Sequence, residues 1–238
     1  MLKRKIYQEL IEWKKTKGKE CLLVKGARQV GKSYIIREFG KTYDSFIEIN
    51  FYENPEFKTI FEGDLTPSEI YKRISLSFPK VKFIEGNTLI FLDEIQHCPN
   101  ARTAIKFLAT DDRYDVVSSG SLLGLCYKDI VSIPVGYERQ IEMNSLDFEE
   151  FLWAYGYDAS SISSLKSYFD SKERIPDFLH EKFSKILREY LVVGGMPDVV
   201  NVFFKTNNFQ EVYQKQLNLL TEYEEDIKNK QKRLTVKR

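Results

Sequence analysis

The chain has 238 residues, of which 42% are hydrophobic and 30% charged, and its formal net charge is +1. A chain of this length and composition can bury a full core, which excludes a wholly disordered, collagen-like or coiled-coil protein. The near-zero charge removes the simplest reason to expect nucleic acid or membrane as the main partner. The length allows one to two domains.

Cysteine usage predicts a cytoplasmic protein with reduced thiols. Cys21, Cys98 and Cys126 are an odd number without a CxxC pair, and the two histidines beside them give none of the usual zinc-site spacings. No window holds the ~18 apolar residues of a membrane span, so no membrane contact is expected. The first ten residues are charged and amphipathic and lack the apolar region of a secretory signal.

From the N-terminus to about residue 157, predicted helices alternate with predicted strands. Periodicity and capping signals predict helices over 3–15, 32–39, from a Thr66 cap to about Phe78 and over 101–110 after an Asn100 cap, and strands over 20–25, 45–51, 88–93, 114–119 and 139–143. Asp147 and Glu150 predict a capping box for one more helix. This alternation favours an α/β fold with a mainly parallel sheet.

The pattern changes after residue 157. A Ser-rich stretch over 159–164 breaks the alternation, and only helical periodicity follows, around 180–192 and 209–227, split by the GGMP of residues 194–197. We therefore predict a core domain over 1–157 and a small helical segment over 158–238.

Residues 26–33 (GARQVGKS) match the pattern GxxxxGK followed by Ser or Thr. The match follows a buried strand and opens a helix, as a phosphate-binding loop must: glycines let the backbone N–H groups face the phosphates, and the helix N-terminus adds its positive dipole end. Lys32 is expected to reach the β- and γ-phosphates, and the Ser33 hydroxyl to bind Mg²⁺. The predicted nucleotide-binding residues are Gly26, Ala27, Arg28, Gln29, Val30, Gly31, Lys32, Ser33 and Tyr34.

The second apolar strand ends in two carboxylates, in the sequence LIFLDE of residues 89–94. Asp93 ends the buried run at the edge where ligands of parallel sheets bind, and it is expected to hold Mg²⁺ directly or through water. Glu94, one residue further, is suited to orient and deprotonate an attacking water. Without the upstream loop, a solvated strand end would explain the pair as well as a catalytic site does.

Two further polar residues are candidates for the same site. Ser119 ends the next strand and could hydrogen-bond the attacking water, although an ordinary Ser-Gly turn explains it equally well. Arg139 begins the last predicted strand and is a candidate to stabilise charge on the transferred phosphoryl group, with a surface arginine as the alternative.

Five segments together resemble the AAA+ ATPases of bacteria and archaea. They are GARQVGKS, FLDEIQ, SSGSLLG, LDFEEFLWA and GGMPDVV. Specifically, the chain is similar to a group of ATP-binding proteins that join an AAA+ core to a C-terminal domain of unknown function, over residues from about 2 to about 227.

This resemblance implies a five-stranded parallel sheet between helices, of the P-loop NTPase class, and then a helical lid. It implies Ser119 as the sensor-1 residue, Gln96 as part of the strand-end motif, and Arg139 as a finger or sensor, although relatives carry that Arg directly after a glycine and here Gly136 lies three residues earlier. Relatives continue past the segment resembling TEYEEDI, so a chain that ends early in its second domain is expected. The basic tail after residue 227 is either a nucleic-acid contact or a solvated terminus.

The leading hypothesis is a Mg²⁺-dependent ATP hydrolase that acts as a conformational switch, with ATP, ADP and Mg²⁺ as ligands and self-association as an expected partner mode. The alternative is a nucleotide-gated module that binds DNA or protein with little turnover. A small-molecule P-loop kinase is the third hypothesis, but it leaves Glu94 and the GSLLG segment without a role.

Overall fold

The computed structural model describes residues 2–16, 20–121 and 134–236, with side chains as far as Lys228. Within these ranges the chain divides into two compact units. The first, called here the N-terminal unit, is Arg4–Asn144. The second, called the helical unit, is residues 145–238 together with residues 1–3.

A parallel sheet forms the centre of the N-terminal unit. Its strands are β1 Cys21–Gly26, β2 Ser45–Asn50, β3 Thr88–Asp93, β4 Asp115–Ser121 and β5 Glu138–Met143. Their order is β2-β3-β4-β1-β5, and every neighbouring pair is parallel. β3 is buried along its whole length, which is typical of a central strand with helices on both faces.

Helices cover the sheet and close the core of this unit. They are α1 Ile6–Thr16, α2 Lys32–Gly40, α3 Pro67–Ser77 and α4 Pro99–Asp111, with 3-10 helices at Pro55–Phe61 and Ile95–His97. Ile70 and Ile74 of α3 and Ile105 of α4 pack on strand residues such as Ile49 and Leu92. The predicted α/β fold with a parallel sheet flanked by helices is confirmed.

Two predicted helix starts differ in detail. α4 begins at Pro99 after a Cys98 N-cap, so Asn100 lies inside the helix rather than at its cap. Thr66 is the N-cap of α3 as predicted, but its side chain makes no capping bond, because its hydroxyl donates to Asp64 Oδ2 at 3.1 Å. By contrast, the capping box of Asp147 and Glu150 is present with both of its hydrogen bonds.

The helical unit contains five helices in its described part. They are α5 Phe148–Ala154, α6 Ala159–Ser171, α7 Asp177–Val193, α8 Pro197–Thr206 and α9 Phe209–Val236. The Ser-rich stretch that the sequence indicated as a break is the start of α6, because the Asp158 side chain caps it by accepting from the Ser161 N–H at 2.8 Å. The predicted helical segment after the core is confirmed.

The division between the units falls after Asn144, whereas the sequence pattern placed a boundary near 157. The reason is the packing of α5: Phe151 and Leu152 are buried in a cluster with Ile186 of α7 and Phe203 of α8. Gly195 belongs to the same unit, and its carbonyl oxygen accepts a hydrogen bond from the Leu146 N–H at 2.7 Å.

Among the helices of the described ranges, none combines the length and the apolar character that a membrane span requires. Three features singled out in the sequence lie outside the described residues. They are residues 122–124 of the SSGSLLG segment, Cys126, and the side chains of the basic tail after Lys228.

Candidate nucleotide site

The loop between β1 and α2 has the backbone shape that its glycines predict. Gly31 lies in the left-handed region at φ 95°, and Gln29 adopts the same region at φ 62° although it carries a side chain. Gly26 is needed for a further reason: a Cβ there would lie 2.1 Å from the carbonyl oxygen of Met143 on β5. The loop is therefore fixed at its first residue by close backbone packing against the neighbouring strand.

Lys32 folds back onto this loop. Its ammonium donates to the carbonyl oxygens of Ala27 at 2.7 Å and Gly26 at 3.1 Å, and the residue is 6% exposed. Burial lowers the pKa of Lys32, while the nearby carboxylates of Glu94 and Asp93 act in the opposite direction. A positive charge is thus held inside the loop, close to two acidic groups.

Asp93 is the centre of the hydrogen-bond network and is 2% exposed. Ser33 Oγ lies 3.0 Å from its Oδ1 and 2.9 Å from its Oδ2, and Asn50 Nδ2 donates to Oδ2 at 3.1 Å. The Ser119 hydroxyl donates to Oδ1 as well. Burial raises the pKa of Asp93, and the hydrogen bonds from Ser119 and Ser33 oppose that rise because they favour the ionised form.

Glu94 follows in a left-handed backbone conformation at φ 54°. Its N–H donates to Asp93 Oδ1 at 3.2 Å and to Ser119 Oγ at 3.3 Å, so the turn at the end of β3 is held by the same network. The Gln96 amide donates to Glu94 Oε2 from the 3-10 helix that follows. One carboxylate oxygen of Glu94 is therefore oriented by an amide from its own turn.

These groups line an open cleft of about 390 Å³. The predicted site residues that line it are Arg28, Gln29, Gly31, Lys32, Ser33, Tyr34, Asp93 and Glu94, and Arg37, Asn50, Tyr52 and Glu53 complete it. Gly26 and Ala27 contribute the carbonyls that hold Lys32, and Val30 is buried under the loop.

The structure places Ser119 beside the acidic end of β3 and Arg139 away from it. Ser119 is fully buried, and its hydroxyl donates to the Asp93 carboxylate and accepts from the Glu94 N–H. Arg139 is exposed and pairs with Leu22, whereas Met143 pairs with Gly26 at the loop. At ~3.3 Å per residue, Arg139 lies roughly 13 Å along β5 from that edge, so the structure does not bring it to its own chain's cleft.

The sequence reasoning missed Asn50. It is the last residue of β2, in register with Asp93 on the adjacent strand, and its side-chain Oδ1 accepts from the Tyr52 and Glu53 N–H groups at 2.9 Å each. The available signal was an amide residue one position before the end of a predicted strand that alternates polar and apolar residues. Parallel strands end at one edge, so such a residue lies beside the acidic strand end.

The donor set suits a magnesium ion. A hydroxyl and a carboxylate, from Ser33 and Asp93, converge within 3.0 Å of each other, and the carboxylate is desolvated. Mg²⁺ prefers such oxygen ligands and typically takes one or two from the protein, with waters and substrate phosphates completing its octahedron.

Residues 18–152 match the family described as AAA domain. The match covers more than half of the chain, and the chain belongs to this family. With the parallel sheet and the loop described above, it is a member of the AAA+ ATPase superfamily, whose fold is that of nucleotide-binding ATPases.

Two curated relatives cover most of this chain. An uncharacterized protein of Haemophilus influenzae is 24% identical over 208 residues, 84% of this chain and 45% of that protein. An uncharacterized protein of Methanocaldococcus jannaschii is 28% identical over 179 residues, 74% of this chain and 35% of that protein. The chain thus spans less than half the length of these relatives.

Among solved structures, the Walker-type ATPase of Pyrococcus abyssi aligns with a TM-score of 0.55. The alignment covers 97% of this chain and 76% of that chain at 15% sequence identity. At this identity the likeness shows the fold.

Proposed function

We propose that the chain binds Mg²⁺-ATP in the cleft at the carboxyl edge of the sheet and hydrolyses the β,γ-phosphoanhydride bond. The observation that carries the proposal is the convergence of Lys32 and Ser33, from the start of α2, with Asp93 and Glu94, from the end of β3. A cation, a hydroxyl and two carboxylates in this order are what phosphoryl transfer to water requires.

Lys32 and the helix start serve to bind the phosphates. The Lys32 ammonium donates to the carbonyls of Gly26 and Ala27 within the loop, and in the proposed complex it donates to phosphate oxygens. The N–H groups of the loop and the first turn of α2 add donors and the positive end of the helix dipole. Arg28 and Tyr34 lie at the cleft wall, where they contact the nucleotide.

Ser33 and Asp93 are the residues that would hold the metal ion. A Mg²⁺ ion bound there would neutralise charge that develops on the phosphate oxygens during transfer. Asn50 and Ser119 orient the Asp93 carboxylate and favour its ionised form, because each donates a hydrogen bond to it. We accordingly assign Ser119 to the support of Asp93 rather than to direct contact with the attacking water.

Glu94 is the general base. Its backbone is fixed by two hydrogen bonds, and Gln96 holds one of its carboxylate oxygens, which leaves the other free to accept a proton from water in the cleft. The proton moves from the attacking water to this oxygen as the water oxygen bonds to the γ-phosphorus and the bond to ADP breaks.

The conformational output of this reaction involves the helical unit. The chain carries a second compact unit with its own core, joined to the N-terminal unit by two chain crossings. We propose that residues 158–238 act as a lid and as the start of a further domain, which ATP binding closes and hydrolysis releases.

The test is Mg²⁺-dependent phosphate release by the purified chain, compared with Lys32→Ala, Glu94→Gln and the matched control Glu85→Gln, an exposed carboxylate outside the cleft. Lys32→Ala and Glu94→Gln abolish turnover, and the control retains it. A Glu94→Gln variant that turns over like the wild type contradicts the assignment of the base.

Two further measurements distinguish the hydrolase from a nucleotide-gated binding module. A rate that rises with protein concentration and is lost in Arg139→Ala supports a finger supplied by a neighbouring copy, since Arg139 lies away from its own cleft. Tight ATP binding with negligible turnover, together with ATP-dependent DNA or protein binding, favours the binding module instead.

A further inference from the structure

Arg4 is a nearly buried arginine at the start of the N-terminal unit, with 9% of its surface exposed. Its Nη1 donates to the Val30 carbonyl at 2.9 Å and its Nη2 donates to the Asn144 carbonyl at 2.5 Å. One guanidinium therefore joins three segments that are far apart in sequence. The planar fork of arginine allows two such bonds at once, which the single ammonium of lysine cannot reproduce with the same geometry.

The first acceptor belongs to the phosphate loop. Val30 directly precedes Gly31, whose left-handed conformation turns the loop into α2, and the Val30 side chain is buried. A bond to the Val30 carbonyl fixes the orientation of the Val30–Gly31 peptide, and with it the direction of the Gly31 N–H. Because the C=O and N–H of a trans peptide point in opposite directions, Arg4 contacts this peptide on the side away from the Gly31 N–H.

The second acceptor lies where the chain leaves the unit. The polypeptide passes between the two units at two places, between Lys3 and Arg4 and between Asn144 and Ser145. Arg4 and Asn144 are the residues of the N-terminal unit at those two crossings. The same side chain therefore ties the phosphate loop to both of the covalent connections with the helical unit.

We propose that Arg4 is a positioning residue that holds the phosphate loop ready for nucleotide and transmits nucleotide occupancy to the two chain crossings. This inference rests on the proposed function, because it needs a nucleotide in the loop. It deepens that function by naming the contact through which the site acts on the connections to the helical unit. Arg4 itself does not line the cleft.

The experiment compares Arg4→Met and Arg4→Lys with Arg73→Met. Arg73 is a matched control, because its guanidinium also clamps backbone carbonyls, those of Ile60, Glu62 and Asp64 at 3.1, 2.6 and 3.0 Å, but away from the loop. Binding of Mg²⁺-ADP is measured by titration calorimetry. Hydrogen exchange of residues 28–34 and 143–147 is followed with and without Mg²⁺-ADP.

We expect Arg4→Met to weaken Mg²⁺-ADP binding about tenfold or more, Arg4→Lys to be intermediate, and Arg73→Met to bind like the wild type even where its stability falls. In the wild type, ADP slows exchange in both segments, and in the Arg4 variants the effect on residues 143–147 disappears. If Arg4→Met does not fold, Arg4→Lys decides the question by the same two measurements.

Unchanged ADP affinity in a folded Arg4 variant, or an ADP effect on residues 143–147 that survives the substitution, would overturn the inference. An equal loss of affinity in Arg73→Met would also overturn it, because the effect would then be one of general stability. A wild-type chain that binds no Mg²⁺-ADP would instead refute the proposed function, and the two failures are therefore distinguishable.

Discussion

Ser119→Ala tests whether the buried network around Asp93 is organised as the structure shows. Ser119 is fully buried and donates to the Asp93 carboxylate, while its oxygen accepts from the Glu94 N–H. Ser118, its neighbour on β4, is equally buried, but it donates only to the neutral carbonyl of Leu22 at 3.3 Å. The two serines thus differ mainly in the charge of the acceptor.

The expected loss of unfolding free energy follows from this difference. A hydrogen bond to a charged group contributes about 1.5–3 kcal/mol, and one between neutral groups about 0.5–1.5 kcal/mol. In Ser119→Ala, Asp93 keeps donors from Ser33, Asn50 and the Glu94 N–H. We therefore expect a loss of about 2 kcal/mol for Ser119→Ala and about 0.5–1 kcal/mol for the Ser118→Ala control.

The assay is urea unfolding of the nucleotide-free chain, followed by tryptophan fluorescence. Trp13 is buried in the N-terminal unit, and Trp153 is half-buried in the helical unit. A Trp153→Phe background therefore makes the signal specific to the unit that holds the site. This matters because two units need not unfold in one transition. A Ser119→Ala loss equal to or smaller than that of Ser118→Ala would refute the reasoning about the Asp93 network.

Three further substitutions probe other parts of the structure. Gly26→Ala should lower the unfolding free energy by about 1–3 kcal/mol and abolish nucleotide binding, because the added Cβ would lie 2.1 Å from the Met143 carbonyl oxygen. A titration-calorimetry isotherm like that of the wild type would contradict this close packing. Arg102→Leu should lower the unfolding free energy by about 3–5 kcal/mol, measured by urea unfolding, because it leaves the buried Glu138 carboxylate without its ion-pair partner. Substituting both residues of the pair by Leu should recover most of that loss. A loss below about 1 kcal/mol in the single variant, as for a surface substitution, would show that the pair is not buried as described. Asp158→Ala should loosen α6 above about pH 4 but not below about pH 2. Backbone and side-chain hydrogen bonds lower the pKa of Asp158 to about 2, so the stability that its cap contributes is present above the unfolded pKa and is lost as pH falls through the folded pKa. Hydrogen exchange of α6 as a function of pH measures this, and a difference between variant and wild type that does not change with pH would argue against the cap.

Much of the site could be predicted because its chemistry is fixed by order along the chain. A buried strand, a glycine loop and a helix in succession place Lys32 and Ser33 at a parallel sheet edge, and a second buried strand that ends in Asp93 must end at that same edge. Only the order of elements and the residue types enter this reasoning. It is therefore independent of the exact packing.

The remainder depends on contacts that no local pattern contains. Arg4 reaches Val30 and Asn144 across 26 and 140 residues of sequence, and nothing near Arg4 distinguishes it from other basic residues of the N-terminus. The role of Ser119 depends on where its hydroxyl points, which the strand pattern leaves open. α6 was missed because serines in series are typical of loops, while the aspartate cap that starts the helix lies just before them.

The most direct test of the proposed ATPase is a single-turnover experiment with Mg²⁺-ATP labelled at the γ-phosphate. The wild-type chain and the Glu85→Gln control should bind ATP and release labelled phosphate, Glu94→Gln should bind ATP with similar affinity and retain it uncleaved, and Lys32→Ala should fail to bind. Labelled phosphate released by Glu94→Gln at the wild-type rate, or ATP bound by Lys32→Ala as tightly as by the wild type, would contradict the proposed site.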